Sequence, residues 1–211
     1  MRARLRAHRV IAAVTVLYVL GWLAFGISVD SPLAVPYFVE MVALIWLILA
    51  LDSRSPFSRG TLAGLSFWGF LHMMGGMLPI GESTLYETWV LAFLRWDHVV
   101  HAVGFGFGGV AAYEAYLPWL RTPPTPAGGA WTAFMGTAAI GAINETVEFL
   151  ASQLLPFANV GDEVNTGLDL IANTVGGAVA SWYVYRKLSA ATGPAATDLG
   201  VTGPRRGAPA E

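Results

Sequence analysis

The chain has 211 residues, of which 55% are hydrophobic and only 12% are charged, and its mean hydropathy is +0.56. Soluble domains carry about 25% charged residues, so this composition indicates an integral membrane protein. The formal net charge of −2 excludes a generally basic nucleic-acid-binding protein, and the absence of cysteine excludes disulfides, thiolate metal sites and cysteine nucleophiles.

Six stretches of the chain are long and apolar enough to cross a bilayer, whose hydrocarbon core of about 30 Å requires roughly 20 helical residues. Helix-breaking residues separate them, including Asp30-Ser31-Pro32, Pro56, Pro123-Pro124 and Pro156. The predicted spans are residues 10–29, 33–51, 61–80, 96–117, 129–155 and 165–188. The sequence therefore predicts an all-α, polytopic membrane helix bundle with six transmembrane helices.

The segment before the fourth span allows two interpretations. Residues 87–95 are either an interfacial helix that leads into the span or the first turns of a longer, tilted span. The first span is a retained helix rather than a cleaved signal peptide, because its apolar run is too long and Gly26-Ile27-Ser28 is a poor cleavage site.

The distribution of basic residues predicts the orientation of the bundle. With the N-terminus and C-terminus both cytoplasmic, eleven of the 12 Lys and Arg residues lie on the inner side, and only Arg95 lies outside. Residues 1–188 then form the transmembrane domain, and residues 189–211, rich in Ala, Gly, Thr and Pro, form a disordered cytoplasmic tail. The expected location is the inner or plasma membrane of the cell.

Ionisable side chains of the spans gather near the outer end in this orientation. At about 1.5 Å per residue they lie roughly 6–15 Å below the outer surface; they are Glu40, His72, His101, Glu145, Glu148 and Asp169, with Asn173 beside them. Asp97 and His98 lie at the same rim, whereas Glu114 lies close to the inner interface. Since charges in lipid are costly, we expect a polar pocket that opens to the outside, between the third to sixth spans.

The spacing of these residues places them on single helix faces. Residues four positions apart share one face of a helix. The pairs with this spacing are Asp97 and His101, Asn144 and Glu148, Asn165 and Asp169, and Asp169 and Asn173. Each helix can therefore turn a polar stripe toward the interior of the bundle. Small residues at Gly104, Gly108, Gly176 and Gly177 predict close approach of helix backbones beside these stripes.

Three segments resemble motifs of the VanZ-like membrane proteins, a family named after a teicoplanin-resistance protein. Asp97-His98-Val99-Val100-His101 resembles its Asp-Lys-x-x-His element, Asn144-Glu145-Thr146-Val147-Glu148 its Glu-x-x-Gln helix, and the run Asp169 to Gly176 its Asp-x-x-x-Asn-x-x-Gly helix. His72 to Gly76, with Arg95 and Asp97, is similar to the uncharacterised YjdF-type inner-membrane proteins. The resemblance covers roughly residues 60–185.

Two substitutions and one absence separate the chain from the VanZ-like pattern. His98 stands in place of the usual lysine and Glu148 in place of glutamine, and the arginine expected between the Glu and Asp helices is missing. These departures favour the YjdF-type branch over a drug-resistance protein. The resemblance implies a membrane helix bundle of the cell envelope and no particular reaction.

A metal centre is the first hypothesis for the polar cluster. Crowded carboxylates repel each other unless they take up protons or share a cation. His72, His101, Glu145, Glu148 and Asp169 are the candidate ligands, and imidazole with carboxylate suits zinc, iron or manganese. Such a divalent metal would activate water against a lipid or cell-envelope substrate that arrives from the outer leaflet.

The second hypothesis is acid–base catalysis without metal by Asp97 and His101, with the Glu145–Glu148 pair holding substrate or a proton. The candidate catalytic residues of the two hypotheses are Asp97, His101, Glu145, Glu148 and Asp169, and the candidate binding residues are His98, Asn144, Asn165 and Asn173.

Two further roles stay open. Proton- or cation-coupled transport is disfavoured because the chain shows no internal repeat and its polar groups lie on one side. In a structural or accessory role, the polar groups would only join helices through hydrogen bonds. In every case we expect membrane lipids, and no nucleic acid, as partners.

Overall fold

The computed structural model describes residues 2–154 and 163–192, and the tail beyond residue 192 lies outside this part of the chain. A short helix, α1 (Arg2–Ala7), precedes six long helices. They are α2 (Arg9–Ser28), α3 (Ala34–Arg54), α4 (Arg59–Met77), α5 (Trp96–Tyr116), α6 (Pro126–Leu154) and α7 (Glu163–Thr192). Each of the six predicted spans overlaps one long helix, which confirms the all-α prediction, although α4 ends at Met77, before the predicted end of its span at Ile80. Helix α7 continues past the predicted end of its span at Leu188.

Local sequence explains several of the helix ends. The side chain of Ser58 accepts a hydrogen bond from the backbone N–H of Thr61 (3.2 Å) and so caps the start of α4. Helix α6 begins at Pro126, whose ring fixes φ near the helical value and whose missing N–H costs nothing in the first turn. Asp30 has a positive φ of 53° in the turn between α2 and α3, a conformation that aspartate tolerates better than most residues.

The connection between α4 and α5 contains strands where a helix was predicted. Strand β1 (Pro79–Ile80) pairs with β2 (Ser83–Thr84), and, after a 3₁₀ turn, β3 (Trp89–Leu91) pairs with β4 (Leu94–Arg95). Both interpretations of residues 87–95 as helix are therefore wrong. Tryptophan and valine in this segment favour extended backbone, and pairing across a tight turn satisfies their backbone groups.

Helices α5, α6 and α7 pack against one another, α4 packs on α5, and α2 packs on α3 and α4. The closest backbone contact joins α5 and α7, because a Cβ atom at Gly176 would collide with the carbonyl oxygen of Ala102 and would lie 2.9 Å from the amide nitrogen of Gly106. Gly104 instead makes room for the Trp68 ring, and Gly108 faces only the side chain of Ile140 at 3.8 Å. The prediction of close backbone approach thus holds for Gly176 and is wrong for Gly104 and Gly108.

Two helices, α2 and α3, are long and apolar enough to cross a membrane by length and composition. Only 11% of the apolar window of each is buried inside the protein, whereas the core helix of a soluble protein would be mostly buried. Leu17 of α2 is 74% exposed and Trp46 of α3 is 70% exposed. These apolar faces therefore need a surrounding apolar medium rather than water.

Candidate functional site

The N-terminal half of α5, the C-terminal half of α6 and the N-terminal half of α7 meet in a cluster of ionisable side chains. His101, Glu145, Glu148 and Asp169 each offer one ligand atom, and all four atoms lie within 4.8 Å of one another. Glu145 and Glu148 are three residues apart on α6, so one face of that helix presents both. We call these four residues the acidic cluster.

His101 lies at the centre of the contacts. Its Nδ1 atom lies 3.1 Å from Oδ1 of Asn173 and 3.6 Å from Glu145, and its Nε2 atom lies 3.5 Å from Oδ1 of Asp97 and 3.9 Å from Glu148. The amide oxygen of Asn173 can only accept, so Nδ1 carries the hydrogen in a neutral ring. Nε2 is then the nitrogen with a free lone pair.

Each carboxylate of the acidic cluster accepts a hydrogen bond from an asparagine amide. Asn144 donates to Glu148 at 2.6 Å and Asn173 donates to Glu145 at 3.4 Å. Asn165 donates to Oδ2 of Asp169 at 2.6 Å, and its Nδ2 atom also lies 3.1 Å from Oδ2 of Asp97. In metal sites, side chains that donate hydrogen bonds to a ligand carboxylate fix its orientation, and these asparagine amides can do the same.

Two carboxylate oxygens of the cluster are buried and have no hydrogen-bond partner among the described residues: Oε2 of Glu145 and Oδ1 of Asp169. Glu145 is 8% exposed and Asp169 is fully buried. Buried polar atoms are nearly always satisfied by protein, water or an ion, because an unmade bond costs about 1–3 kcal/mol. Within the described residues, these two oxygens are therefore the buried carboxylate atoms of the cluster that are left to bind a ligand.

The donor set fits a divalent cation. A zinc ion is almost always tetrahedral, with nitrogen and carboxylate oxygen ligands at about 2.0–2.2 Å, so its ligand atoms lie about 3.4 Å from one another. The four ligand atoms of the acidic cluster lie within 4.8 Å of one another, and side-chain rotations that draw them together would let them bind one ion. One imidazole with three carboxylates also suits manganese or iron.

His72, the fifth predicted metal ligand, lies outside the acidic cluster. Its Nε2 atom lies 3.3 Å from Glu40, and its Nδ1 atom lies 2.5 Å from the hydroxyl of Tyr86. The ring also stacks on Tyr37 (4.7 Å) and Trp68 (5.5 Å between centroids). Both ring nitrogens of His72 are thus engaged within the protein, and Glu40 of α3 has a partner on α4.

Tyr86 is a contact that the sequence did not indicate, because it lies in the loop between the two pairs of strands. Burial raises the pKa of its hydroxyl well above the usual value, and the charges of Asp97, Glu40 and Glu148 raise it further. The hydroxyl therefore stays neutral and can donate to Nδ1 of His72.

The predicted rim residue His98 is buried, at 3% exposed. Its Nδ1 atom accepts a hydrogen bond from the backbone N–H of Arg95 (3.2 Å), and its Nε2 atom has no partner among the described residues. Arg95 itself lies beside the site, since its Nη1 atom donates to Oδ1 of Asn165 (3.4 Å). Sequence reasoning noted Arg95 as the one outer basic residue but did not assign it to the site.

Ion pairs of another kind lie at the opposite end of the bundle. Arg4 donates to both carboxylate oxygens of Asp52 (2.6 and 3.0 Å) and to the carbonyl oxygen of Phe57 (2.7 Å). The hydrogen bonds that Arg4 donates to Asp52 raise the pKa of the Arg4 guanidinium. Glu114 lies 3.7 Å from Lys187 and accepts from the backbone of Ser58. Glu114 is thus remote from the acidic cluster, as its position near the inner interface predicted.

Comparison with protein families decides the membership of the chain. Residues 8–190 match the family described as Predicted membrane protein (DUF2238). The chain belongs to this family. No curated protein and no solved structure matches the chain. The assignment supports an uncharacterised membrane protein family and gives no separate support to a VanZ-like one.

Proposed function

We propose that this member of the DUF2238 family crosses the inner or plasma membrane six times, with both termini in the cytoplasm, and that its outer end holds a divalent metal. The metal centre acts on a lipid or cell-envelope substrate that reaches it from the outer leaflet. One observation carries this proposal: four ligand side chains from three helices lie within 4.8 Å of one another, and two of their carboxylate oxygens are buried without a hydrogen-bond partner among the described residues.

The arrangement of charges supports the orientation. The pairs Arg4–Asp52 and Glu114–Lys187 lie at the end of the bundle that the positive-inside rule assigns to the cytoplasm. The acidic cluster lies at the other end of α5, α6 and α7. Among the helices of the described residues, only α2 and α3 are long and apolar enough to cross a membrane by length and composition alone, because α4 to α7 carry the polar residues that their packing buries.

The acidic cluster and the residues around it have distinct roles in this proposal. His101, Glu145, Glu148 and Asp169 hold the ion, and a bound ion supplies a Lewis acid and lowers the pKa of a water molecule. Asp97, 3.5 Å from Nε2 of His101, accepts or returns a proton at the rim of the site. Asn144, Asn165 and Asn173 keep the carboxylates oriented.

The Asp97–His101 contact also favours a second candidate, acid–base catalysis without metal. In that case His101 takes a proton at Nε2 and Asp97 stabilises the charged ring. The resemblance to VanZ-like and YjdF-type proteins covers α4 to α7 and implies a protein of the cell envelope. It therefore favours a cell-envelope substrate for both candidates. Measurement of the metal content separates the two.

The experiment compares purified protein with variants in a phosphate-free detergent, after exposure to zinc, manganese or ferrous iron and removal of free metal. Elemental analysis of the wild type is expected to give about one ion per chain. Glu145→Gln and Asp169→Asn are expected to lose the ion, because each removes a charged ligand, and Glu114→Gln, a buried carboxylate at the other end, keeps it.

Two results would overturn the proposal: a wild type that binds none of the three metals, or variants Glu145→Gln and Asp169→Asn that keep full occupancy. The first result, together with activity on an envelope lipid that depends on His101, would establish the metal-free candidate. Mass spectrometry of total membrane lipids, incubated with metal-loaded and chelator-treated protein, then identifies the substrate as the species consumed only by the metal-loaded form.

A further inference from the structure

Arg95 lies beside the candidate metal site and contacts the strand next to its own. It is the last residue of β4, and its cross-strand neighbour is Trp89 of β3. The centre of the guanidinium lies 4.8 Å from the centroid of the Trp89 ring, a distance at which the ring face attracts a cation. The pair of strands therefore fixes both the backbone and the side chain of this arginine.

The guanidinium is one hydrogen bond away from the acidic cluster. Its Nη1 atom donates to Oδ1 of Asn165 at 3.4 Å, and the amide group of Asn165 donates to Asp169 at 2.6 Å. Arg95 thus lies beside a ligand carboxylate without touching it. An anionic group bound to an ion in the cluster would come within reach of the guanidinium.

Arg95 also has spare donors. Within residues 2–154 and 163–192 it forms no ion pair, whereas Arg4 and Lys187 at the other end do. Its Nε atom is buried and has no hydrogen-bond partner in the part of the chain that the structure describes. A guanidinium binds phosphate through two parallel N–H···O bonds, and only one of the Arg95 donors is used by Asn165.

We propose that Arg95 binds a phosphate group of the substrate beside the metal centre, so that the substrate class is a phosphate ester. This inference rests on the proposed function, and it goes further by naming the chemical group that the site recognises. If the acidic cluster held a metal ion, the ion and the guanidinium of Arg95 would bind oxygens of the same phosphate and would orient the ester bond for attack by water.

The test measures phosphate binding to metal-loaded protein in a phosphate-free detergent by titration calorimetry. One arm uses inorganic phosphate and the other uses a short-chain phosphatidic acid. The variants are Arg95→Gln, Arg95→Lys and the control Arg59→Gln, an exposed arginine at the start of α4. Metal content is measured on every sample.

We expect Arg95→Gln to weaken binding about tenfold or more, because charge-assisted bidentate bonds are lost. Arg95→Lys should recover part of the affinity, since it keeps the charge but not the fork, and Arg59→Gln should bind as the wild type does. Tighter Arg95-dependent binding of phosphatidic acid than of inorganic phosphate identifies a lipid headgroup as the source. Equal affinity identifies a soluble phosphate ester.

Metal-loaded wild type that binds neither ligand, or Arg95→Gln that binds both as the wild type does, overturns this inference and leaves the proposed metal centre in place. The second of these outcomes would mean that Arg95 only balances the charge of the carboxylates. A wild type without metal overturns the proposed function, and the phosphate site falls with it.

Discussion

The contact between α5 and α7 at Gly176 makes a prediction that tests how the site is assembled. In Gly176→Ala the new methyl carbon would overlap the carbonyl oxygen of Ala102 and lie 2.9 Å from the amide nitrogen of Gly106. Both atoms belong to the backbone and cannot rotate away, so the two helices must separate. Gly167→Ala on the same helix is the matched control, because nothing lies within 4 Å of its Cβ position.

The magnitude follows from two opposing effects. Alanine is favoured over glycine in a helix by about 1 kcal/mol, and this gain applies to both variants. Overpacking costs about 1–3 kcal/mol and applies only at Gly176. We therefore expect Gly176→Ala to be about 1–3 kcal/mol less stable than Gly167→Ala, when unfolding in detergent micelles is followed by circular dichroism.

The same separation should disturb the acidic cluster. Asp169 lies two helical turns before Gly176 on the same face of α7, and Asn173 lies between them and bonds His101 across to α5 at 3.1 Å. Gly176→Ala is expected to bind metal more weakly, whereas Gly167→Ala keeps the wild-type affinity. Equal stability and equal metal binding of the two variants would refute the close α5–α7 crossing and the site built upon it.

Three further predictions test other parts of the structure. His72→Gln should keep the bound metal and His101→Gln should lose it, because both nitrogens of His72 are engaged outside the acidic cluster. Elemental analysis measures the metal content of each variant, and loss of metal from both would show that His72 is also a ligand. Asp52→Asn removes the carboxylate that accepts two bonds from the guanidinium of α1 and should lower the free energy of unfolding by about 2–3 kcal/mol; a change below about 0.5 kcal/mol contradicts the importance of this ion pair. The chain has no cysteine, so a single introduced cysteine reports its side of the membrane. We expect Glu82→Cys, in the strand connection, to react with an impermeant maleimide added to intact cells, and Thr122→Cys to react only after the cells are permeabilised. The reverse pattern would contradict the proposed orientation.

The positions of the helices could be predicted because they depend on local properties. An apolar run of sufficient length bounded by proline or charged residues has few alternatives to a helix, and α2 to α7 lie where those runs lie. The strands between α4 and α5 were missed because their pairing joins residues on both sides of a turn, as Trp89 joins Arg95. A helical pattern and a strand pattern of so few residues cannot be told apart by periodicity.

Much of the site was also predictable, since spacing along a helix fixes which residues share a face. The prediction that Asn165, Asp169 and Asn173 form one stripe agrees with their contacts to Asp97, Glu145 and His101. Spacing does not fix the rotation of one helix against another. For this reason the sequence could not separate His72, which faces Glu40 and Tyr86, from His101, which faces the acidic cluster.

The sequence by itself determined that the chain is an α-helical membrane protein and which polar residues share a face of each helix, because hydropathy and helical periodicity act along the chain. Only the tertiary structure decided which side chains meet, that Arg95 lies beside them, and that Gly176 rather than Gly108 brings two helix backbones together. Those outcomes depend on the rotation and crossing of helices, which arise from packing between residues far apart in the sequence.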